Sequence, residues 1–336
     1  VGNAARLHAL VDAFVGQRVL VFGDLVLDRY ILGTPKRISR EAPVIILRFE
    51  EQRDVPGGAA NAMANVASLG GTVLAVGAVG DDEPGRSLLE QLRQRGIDPA
   101  GISVLPDYRT VTKVRILAWG AASLRHQVAR YDVEDCLPPT PATAARLEAA
   151  LAAAAPQAAA AAVSDYGYGA VTAPRVAALR RALPPSALSV ADSRFALTRL
   201  GPVDAATPNL EELAAAAGRT PQGDEEVAAA AEALRVSLAA RFLVATRGSQ
   251  GLTLVEDGLP PFHLPVYGTA QVVDVTGAGD TVLATLTLAL AAGATPREAA
   301  LLANLAAGVA VTKLGTATVS PGELHEAIER ASFVPA

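Results

Sequence analysis

The sequence holds almost none of the residues that staple or metallate small proteins. Among 336 residues there is one cysteine, Cys136, and the four histidines (His8, His126, His263 and His325) are scattered without metal-ligand spacing. An intrachain disulfide and a multi-cysteine metal site are therefore excluded. Aromatic residues make up only 4% although hydrophobic residues make up 51%, and the mean hydropathy of +0.29 is carried largely by alanine. No stretch reaches the ~18–20 unbroken apolar residues of a spanning helix. The most apolar run, Val282 to Ala294, is short and broken by Thr285 and Thr287. An excess of positive charge is missing as well: 29 Lys+Arg stand against 34 Asp+Glu, a net charge of −5. Mild acidity of this kind argues against a dedicated nucleic-acid binder. Residues 1–18 lack a basic segment followed by an apolar one, so no secretory signal is expected and the cytoplasm is the expected location.

What is present is an alternation of strand and helix signals. Arg18 to Phe22 reads as a buried strand ending at Gly23-Asp24, and Gly57 to Leu69 as a helix opened by glycines. A strand over Thr72 to Val79, a helix over Pro84 to Arg95 and an alanine-rich helix over Ala142 to Ala155 follow. Strands are expected at Ala159 to Val163, Ala187 to Ala191 and Phe242 to Ala245, and an apolar helix from Gly279 to Ala291. The low-complexity run Ala149 to Ala162 reads as helix-forming rather than as a linker. Such alternation predicts an α/β fold, a mostly parallel sheet with helices on both faces, and ligands at the carboxyl ends of its strands. Val44 to Glu50 and Thr110 to Asp132 instead alternate apolar and polar residues without helices, the second with a turn at Gly120 to Ser123. These predict an inserted flap or second sheet, or else an edge hairpin of the main one.

The strongest chemical feature is the segment Asp274 to Thr281 (DVTGAGDT), small residues that open a long apolar helix. Backbone N–H groups at Gly277, Ala278, Gly279 and Asp280 would face one spot at the positive end of the helix dipole, an anion site suited to a transferring phosphoryl group. Asp280 at its mouth is placed to take a proton from an attacking hydroxyl. Asp274 would serve the loop or bind a cation. The plainer alternative is a glycine turn with an Asp cap. It is not a dinucleotide fingerprint, since Val282 stands where a third glycine should be, and the chain has neither a P-loop nor a G-x-S-x-G elbow.

Gly57-Gly58 followed by Asn61 would let backbone approach a small polyol, and Asp24 and Asp28 offer carboxylates after the first strand. Asn209 and Glu212 have capping-box spacing, or would organise a hydrated magnesium ion. Thr246-Arg247-Gly248 with Gly251 is a glycine-bearing turn able to admit nucleotide phosphates.

Taken in order, these motifs resemble the ribokinase-like (phosphofructokinase-B type) family of carbohydrate kinases, from about Val19 to Ser320. The resemblance implies a three-layer α/β/α fold in one kinase domain. A small β lid would be inserted at about residues 30–53 and 110–132, often the contact of a homodimer. It implies ATP and Mg2+ as cofactors, with potassium as a further candidate. Asp280 would be the general base and Gly277 to Gly279 the anion hole. Asp274 and the backbone near Val275 would hold a monovalent cation, and Glu212 the magnesium through water. Asn209, Thr246, Gly248, Gly251, Asn304, Lys313 and Gly315 would bind the nucleotide, the last three by the adenine.

A closer likeness within the family is to the kinase domain of bifunctional heptose enzymes. It is carried by GDLVLDRY at Gly23 to Tyr30, Arg37 to Val44, Val55 to Asn61, Ser164-Asp165-Tyr166 and Lys313 to Pro321. That implies D-glycero-β-D-manno-heptose 7-phosphate as the acceptor, phosphorylated at O1, with Asp24, Asp28, Arg37, Gly57, Gly58, Asn61 and Asp165 about it. Arg37, Lys113, Arg115 and Arg194 are candidates for its phosphate. Asp192-Ser193-Arg194-Phe195 departs from the family's Asp-Pro-Lys-Gly turn. No His-x-x-His nucleotidyltransferase motif occurs, so a stand-alone kinase is expected. The alternatives are a kinase for another sugar, sugar phosphate or nucleoside, and a non-catalytic sensor on the same fold.

Overall fold

A computed structural model of the chain describes residues 4–119, 125–195, 197–268 and 272–331; the turn expected at Gly120 to Ser123 lies outside them. Its first strands are β1 (Arg18–Gly23), β2 (Leu25–Ile38), β3 (Ile45–Gly58), β4 (Thr72–Gly80) and β5 (Ile102–Leu105). There follow β6 (Thr112–Trp119), β7 (Arg125–Val133), β8 (Ala160–Asp165) and β9 (Leu188–Ser193). The last are β10 (Ala205–Ala206), β11 (Phe242–Thr246), β12 (Leu252–Glu256) and β13 (Phe262–Leu264). The helices are α1 (Ala4–Asp12), α2 (Ala59–Ser68), α3 (Glu83–Arg93), α4 (Pro141–Ala154) and α5 (Ala173–Ala182). The remaining five are α6 (Leu210–Ala217), α7 (Gly223–Ser237), α8 (Ala278–Ala291), α9 (Pro296–Ala310) and α10 (Pro321–Arg330).

Nine strands form one sheet in the order β13-β12-β11-β10-β9-β8-β1-β4-β5. All its pairings are parallel except β11–β12 and β12–β13. Side chains of β1 alternate between two cores, Val19 and Val21 into one, Leu20 and Phe22 into the other. The first core is closed by α1, α2, α3, α8, α9 and α10, the second by α4 to α7. This is the expected three-layer α/β/α arrangement. Helix starts are set locally, with side-chain caps at Asp82, Thr140, Asn209, Thr295 and Ser320. The alanine run is divided: α4 ends at Ala154, and Ala160, Ala161 and Ala162 are buried in β8 between β1 and β9. Helix propensity is a fraction of a kcal/mol per residue, and hydrogen bonds to two neighbouring strands override it.

From β1 the chain moves to β4 and β5 on one side, then returns to β8 through β11 on the other. The order therefore reverses between β1 and β8, and a crevice opens outside their carboxyl ends. Only Asp24 separates β1 from β2, so the second sheet is rooted at that crevice. It has the order β3-β2-β6-β7, with β2–β3 and β6–β7 antiparallel and β2–β6 parallel. The stretch around Thr110 to Asp132 thus pairs with β2, not with an edge of the main sheet. Both β2 and β3 reach beyond the span 30–53. Arg29 fixes their root, bonding both oxygens of Asp54 at 2.7–2.8 Å and Glu83 of α3. No helix among the described residues is long and apolar enough to cross a membrane.

Candidate active site

The first turn of α8 sits over the crevice. Gly277 caps it with φ +80°, a left-handed conformation that a side chain would strain, and an added Cβ would strike the Asn61 amide. The N–H of Ala278 is turned back to the Val275 carbonyl at 3.2 Å, while Gly277, Gly279 and Asp280 keep N–H groups without an acceptor among the described residues. Of the N–H groups expected in the anion hole, that of Ala278 is thus engaged within the loop in this structure. Asp280 is 2% exposed. Its Oδ2 accepts from Asn61 Nδ2 and its Oδ1 from the Tyr166 hydroxyl, each at 2.9 Å. Burial pushes its carboxyl up to about 6; the bonds from Asn61 and Tyr166 and the Lys113 charge oppose the rise, and Asp28 adds to it. A buried carboxylate that is ionised near neutrality beside a helix N-terminus can act as a general base.

Several residues expected to touch a sugar also bind the scaffold. The Asn61 amide donates to Asp280 and accepts from Asn65 Nδ2 at 3.2 Å, so it orients the carboxylate. Asp24 is filled by three N–H donors, from Tyr166, Tyr168 and Ala170 at 2.8–3.1 Å, and holds the turn after β8. Burial raises it to about 6 against those bonds. Asp165 accepts from Ser193 Oγ at 2.6 Å and from the Gly167 N–H at 3.0 Å, tying β8 to β9. Asp28 stays at the mouth, paired with Arg115 of β6. Gly57 lies against it, and a Cβ there would collide with the Asp28 carboxylate. Gly58 caps α2.

A second cavity, about 290 Å³, lies beside α8 and α9 and is mostly apolar. It brings together Thr246, Gly248, Gly251 and Asn304 with Ala278 and Gly279 of the α8 start. Asn304 donates to the Pro265 carbonyl at 2.8 Å. Lys313 and Gly315 do not line it. The Lys313 ammonium pairs with Glu323 at 2.6 Å, and Gly315 packs against Tyr30 of the second sheet. Asp274 braces its loop, accepting from the N–H groups of Thr276 and Gly315 at 2.9–3.0 Å. Burial works against its charge, but those donors and Arg115 outweigh it and keep the carboxyl below its usual range.

An acidic pair lies near the base, since the charges of Glu212 and Asp280 both act on Asp192. Asn209 and Glu212 form the capping box, with Glu212 accepting from both the Asn209 N–H and amide. Burial, then the charge of Glu212, pushes Asp192 well above the usual carboxylate range, and burial raises Glu212 too. A nearby divalent cation would relieve this repulsion, and oxygen donors of this kind suit magnesium. Among the described residues no group of three or more carboxylates, histidines or cysteines converges on a metal position.

Arg37 lies nine residues beyond Asp28 on β2 and is exposed. At roughly 3.3 Å per residue that is about 30 Å of strand, so within one chain it does not share a ligand with Asp28. Sequence reasoning left Tyr166 without a role, although it sits among polar residues just past a parallel strand end, where ligands gather.

Comparisons with known proteins agree with this geometry. The pfkB family carbohydrate kinase model matches residues 17–322. Bifunctional protein HldE of Nitrosococcus oceani is 41% identical over 94% of this chain and 64% of its own length. The protein of the same name in Yersinia pseudotuberculosis is 42% identical over 92% of the chain and 63% of its own. The chain thus spans less than two thirds of these relatives. Escherichia coli phosphofructokinase-2 in complex with potassium superposes with a TM-score of 0.77 at 20% identity, covering 94% of this chain and 98% of that one. Arabidopsis thaliana ribokinase complexed with ribose and ATP gives 0.71 at 18%, covering 94% and 100%. At such identities the structural likeness speaks for the fold.

Proposed function

The chain belongs to the pfkB family of carbohydrate kinases, and on that premise we propose that it transfers the γ-phosphoryl of ATP to O1 of D-glycero-β-D-manno-heptose 7-phosphate. The observation that carries the chemistry is Asp280, a buried carboxylate held by Asn61 and Tyr166 where the apolar cavity meets the charged crevice. The acceptor identity is supported by relatives 41–42% identical over more than nine tenths of the chain.

In this reading the acceptor lies at the mouth formed by Asp28 and Gly57, with its O1 hydroxyl toward Asp280. Asp280 takes the proton as the oxygen attacks the γ-phosphorus, the bond to the β-phosphate oxygen breaks, and ADP leaves. The free N–H groups of Gly279 and Asp280 face the charge that develops on the transferring group. Thr246, Gly248, Gly251 and Asn304 position the nucleotide, so orientation and electrostatics supply most of the catalysis. Magnesium, held through waters by Asp192 and Glu212, would neutralise phosphate charge. A monovalent cation would be held by Asp274, whose oxygens each accept a single loop N–H and keep acceptor capacity.

Ile38, Val44, Ile45 and Phe49 leave the far end of the second sheet apolar and at least half exposed, which supports a homodimer made through that sheet. Sedimentation of the purified chain and of Phe49→Ser checks it, and a wild-type monomer would end the idea. The acceptor is tested by a screen with MgATP across heptose 7-phosphate, fructose 6-phosphate, ribose and nucleosides. The heptose phosphate should give the highest kcat/KM, and a better acceptor among the others would replace it.

A further inference from the structure

Most cations around the crevice are matched. Arg115 pairs with Asp28, Arg29 with Asp54 and Glu83, and Arg130 with Asp132. Lys113 and Arg194 are not. Lys113, on β6 of the second sheet, is 7% exposed, yet its ammonium makes no hydrogen bond or ion pair among the described residues. Its one close partner is the ring of Tyr166, 5.1 Å from the centroid. Arg194, just past β9 of the main sheet, is exposed and places its guanidinium 5.3 Å from the same centroid; the charges of Asp192 and Glu212 reach it, but it makes no ion pair among the described residues. Two positive groups from two sheets therefore converge on one ring, whose hydroxyl is bonded to Asp280.

An unpaired buried ammonium is costly. Burial and then the charge of Arg194 hold Lys113 below its ordinary value, with Arg130 acting the same way and Asp28 and Asp132 opposing. An aromatic face offsets part of that cost, but it does not neutralise two cations. A doubly charged anion would. Neither residue lines the apolar cavity beside α9, and Lys113 lies directly opposite Asp28 in the β2–β6 register. The vacancy in charge is thus on the acceptor side.

Resting on the acceptor site proposed above, we propose that Lys113 and Arg194 form a subsite for a phosphate monoester carried by the sugar. This subsite bridges the two sheets and makes a phosphorylated sugar the preferred substrate class. Within one chain Arg37 lies about 30 Å of strand away, and Arg115 is occupied by Asp28. The same chemistry could come from the transferring phosphoryl of ATP, and the experiment separates the two.

Steady-state kinetics of the purified chain would compare Lys113→Met and Arg194→Met with wild type. The expected result is a rise of about 10- to 100-fold in KM for heptose 7-phosphate, with KM for ATP within about twofold, as loss of a charge-assisted phosphate contact requires. Unphosphorylated heptose should react equally poorly with all three proteins, and Lys113→Arg should recover most of the loss. A rise in the ATP KM alone would move the pair to the transferring group and overturn the proposal, as would no change in either KM.

A second readout does not depend on turnover. With the nucleotide site filled by a non-hydrolysable ATP analogue, inorganic phosphate should raise the Tm of wild type but not of Lys113→Met. Equal shifts would overturn the subsite. Lys113→Met should itself melt no lower than wild type, because the buried unpaired charge is gone. If wild type ignores heptose 7-phosphate but phosphate still protects it through Lys113, the acceptor identity fails and the subsite stands.

Discussion

The two walls of the crevice recognise by different physics. The wall beside α8 and α9 is apolar and presents backbone and small side chains, Gly248, Gly251, Ala278 and Gly279 among them. The opposite wall is a field of charges, with Asp28 against Arg115, Asp280 among Asn61 and Tyr166, and Lys113 and Arg194 both against the Tyr166 ring. A nucleotide offers a flat apolar base and a chain of phosphates, which shape and N–H groups can hold. A small polyol offers only hydroxyls and charge, so its wall must be polar and paired. The difference predicts that substitutions on one wall should affect one substrate, and that only Asp280 and Gly277, which set the transfer itself, should lower turnover.

The largest break in that division is expected at Asp280. Asp280→Asn should lower kcat by at least about 10³-fold, the scale of a lost general base. Binding of a non-hydrolysable ATP analogue should stay within about threefold, since the nucleotide wall is untouched. Turnover near the wild-type rate would remove Asp280 from the chemistry.

Next in size are two glycines at the start of α8. A Cβ on Gly279 would meet no protein atom within 4 Å and would project beside the cavity it lines. Gly279→Ala should keep the Tm and raise KM for ATP about tenfold, as one misplaced methyl can, with the acceptor KM unchanged. Gly277→Ala should behave differently. Its φ of +80° and the Asn61 amide leave no room, so the fold should lose about 1–3 kcal/mol and kcat should fall with it. Thermal melts and kinetics on the pair decide whether the α8 start divides into a nucleotide-facing and a base-orienting residue.

The nucleotide wall was the more legible of the two in the sequence. Its glycines and the Asp274 to Thr281 segment are contiguous, and local backbone demands explain them. The parallel sheet was legible for the same reason, because a strand buried on both faces shows as a short apolar run bounded by glycine and aspartate. The acceptor wall was not. Asn61 and Asp280 are 219 residues apart and meet only through the packing of α2 on α8. Nothing in the spacing of Asp24 says that its oxygens will be filled by the N–H groups of Tyr166, Tyr168 and Ala170. Arg37 lies in a segment like that of the heptose enzymes, and its distance from the crevice of its own chain is a property of a 14-residue strand that spacing does not reveal. The Lys313 pairing was not legible either, because its partner, Glu323, belongs to the start of α10.

The smallest expected effect is also the most diagnostic of how the charged wall is set. Tyr166→Phe keeps the ring that Lys113 and Arg194 approach and removes only the hydroxyl that donates to Asp280. That bond favours the carboxylate, so its loss should raise the carboxyl from about 6 by about one unit. Activity through a general base requires the ionised form, so the acidic limb of kcat/KM should move to higher pH. The loss should be about fivefold at pH 6 and slight at pH 8.5, as one unit of displacement dictates. Unfolding does not mimic this limb. A carboxyl near 6 in the fold and near 3.8 in the unfolded chain binds its proton more tightly when folded. Stability from this group is therefore greatest at low pH and declines as pH rises through that window. Asp24, raised likewise to about 6, acts in the same direction. A Tyr166→Phe profile that falls evenly at every pH would mean that the hydroxyl only holds the turn after β8, and the charged wall would then owe its tuning to burial and Asn61 alone.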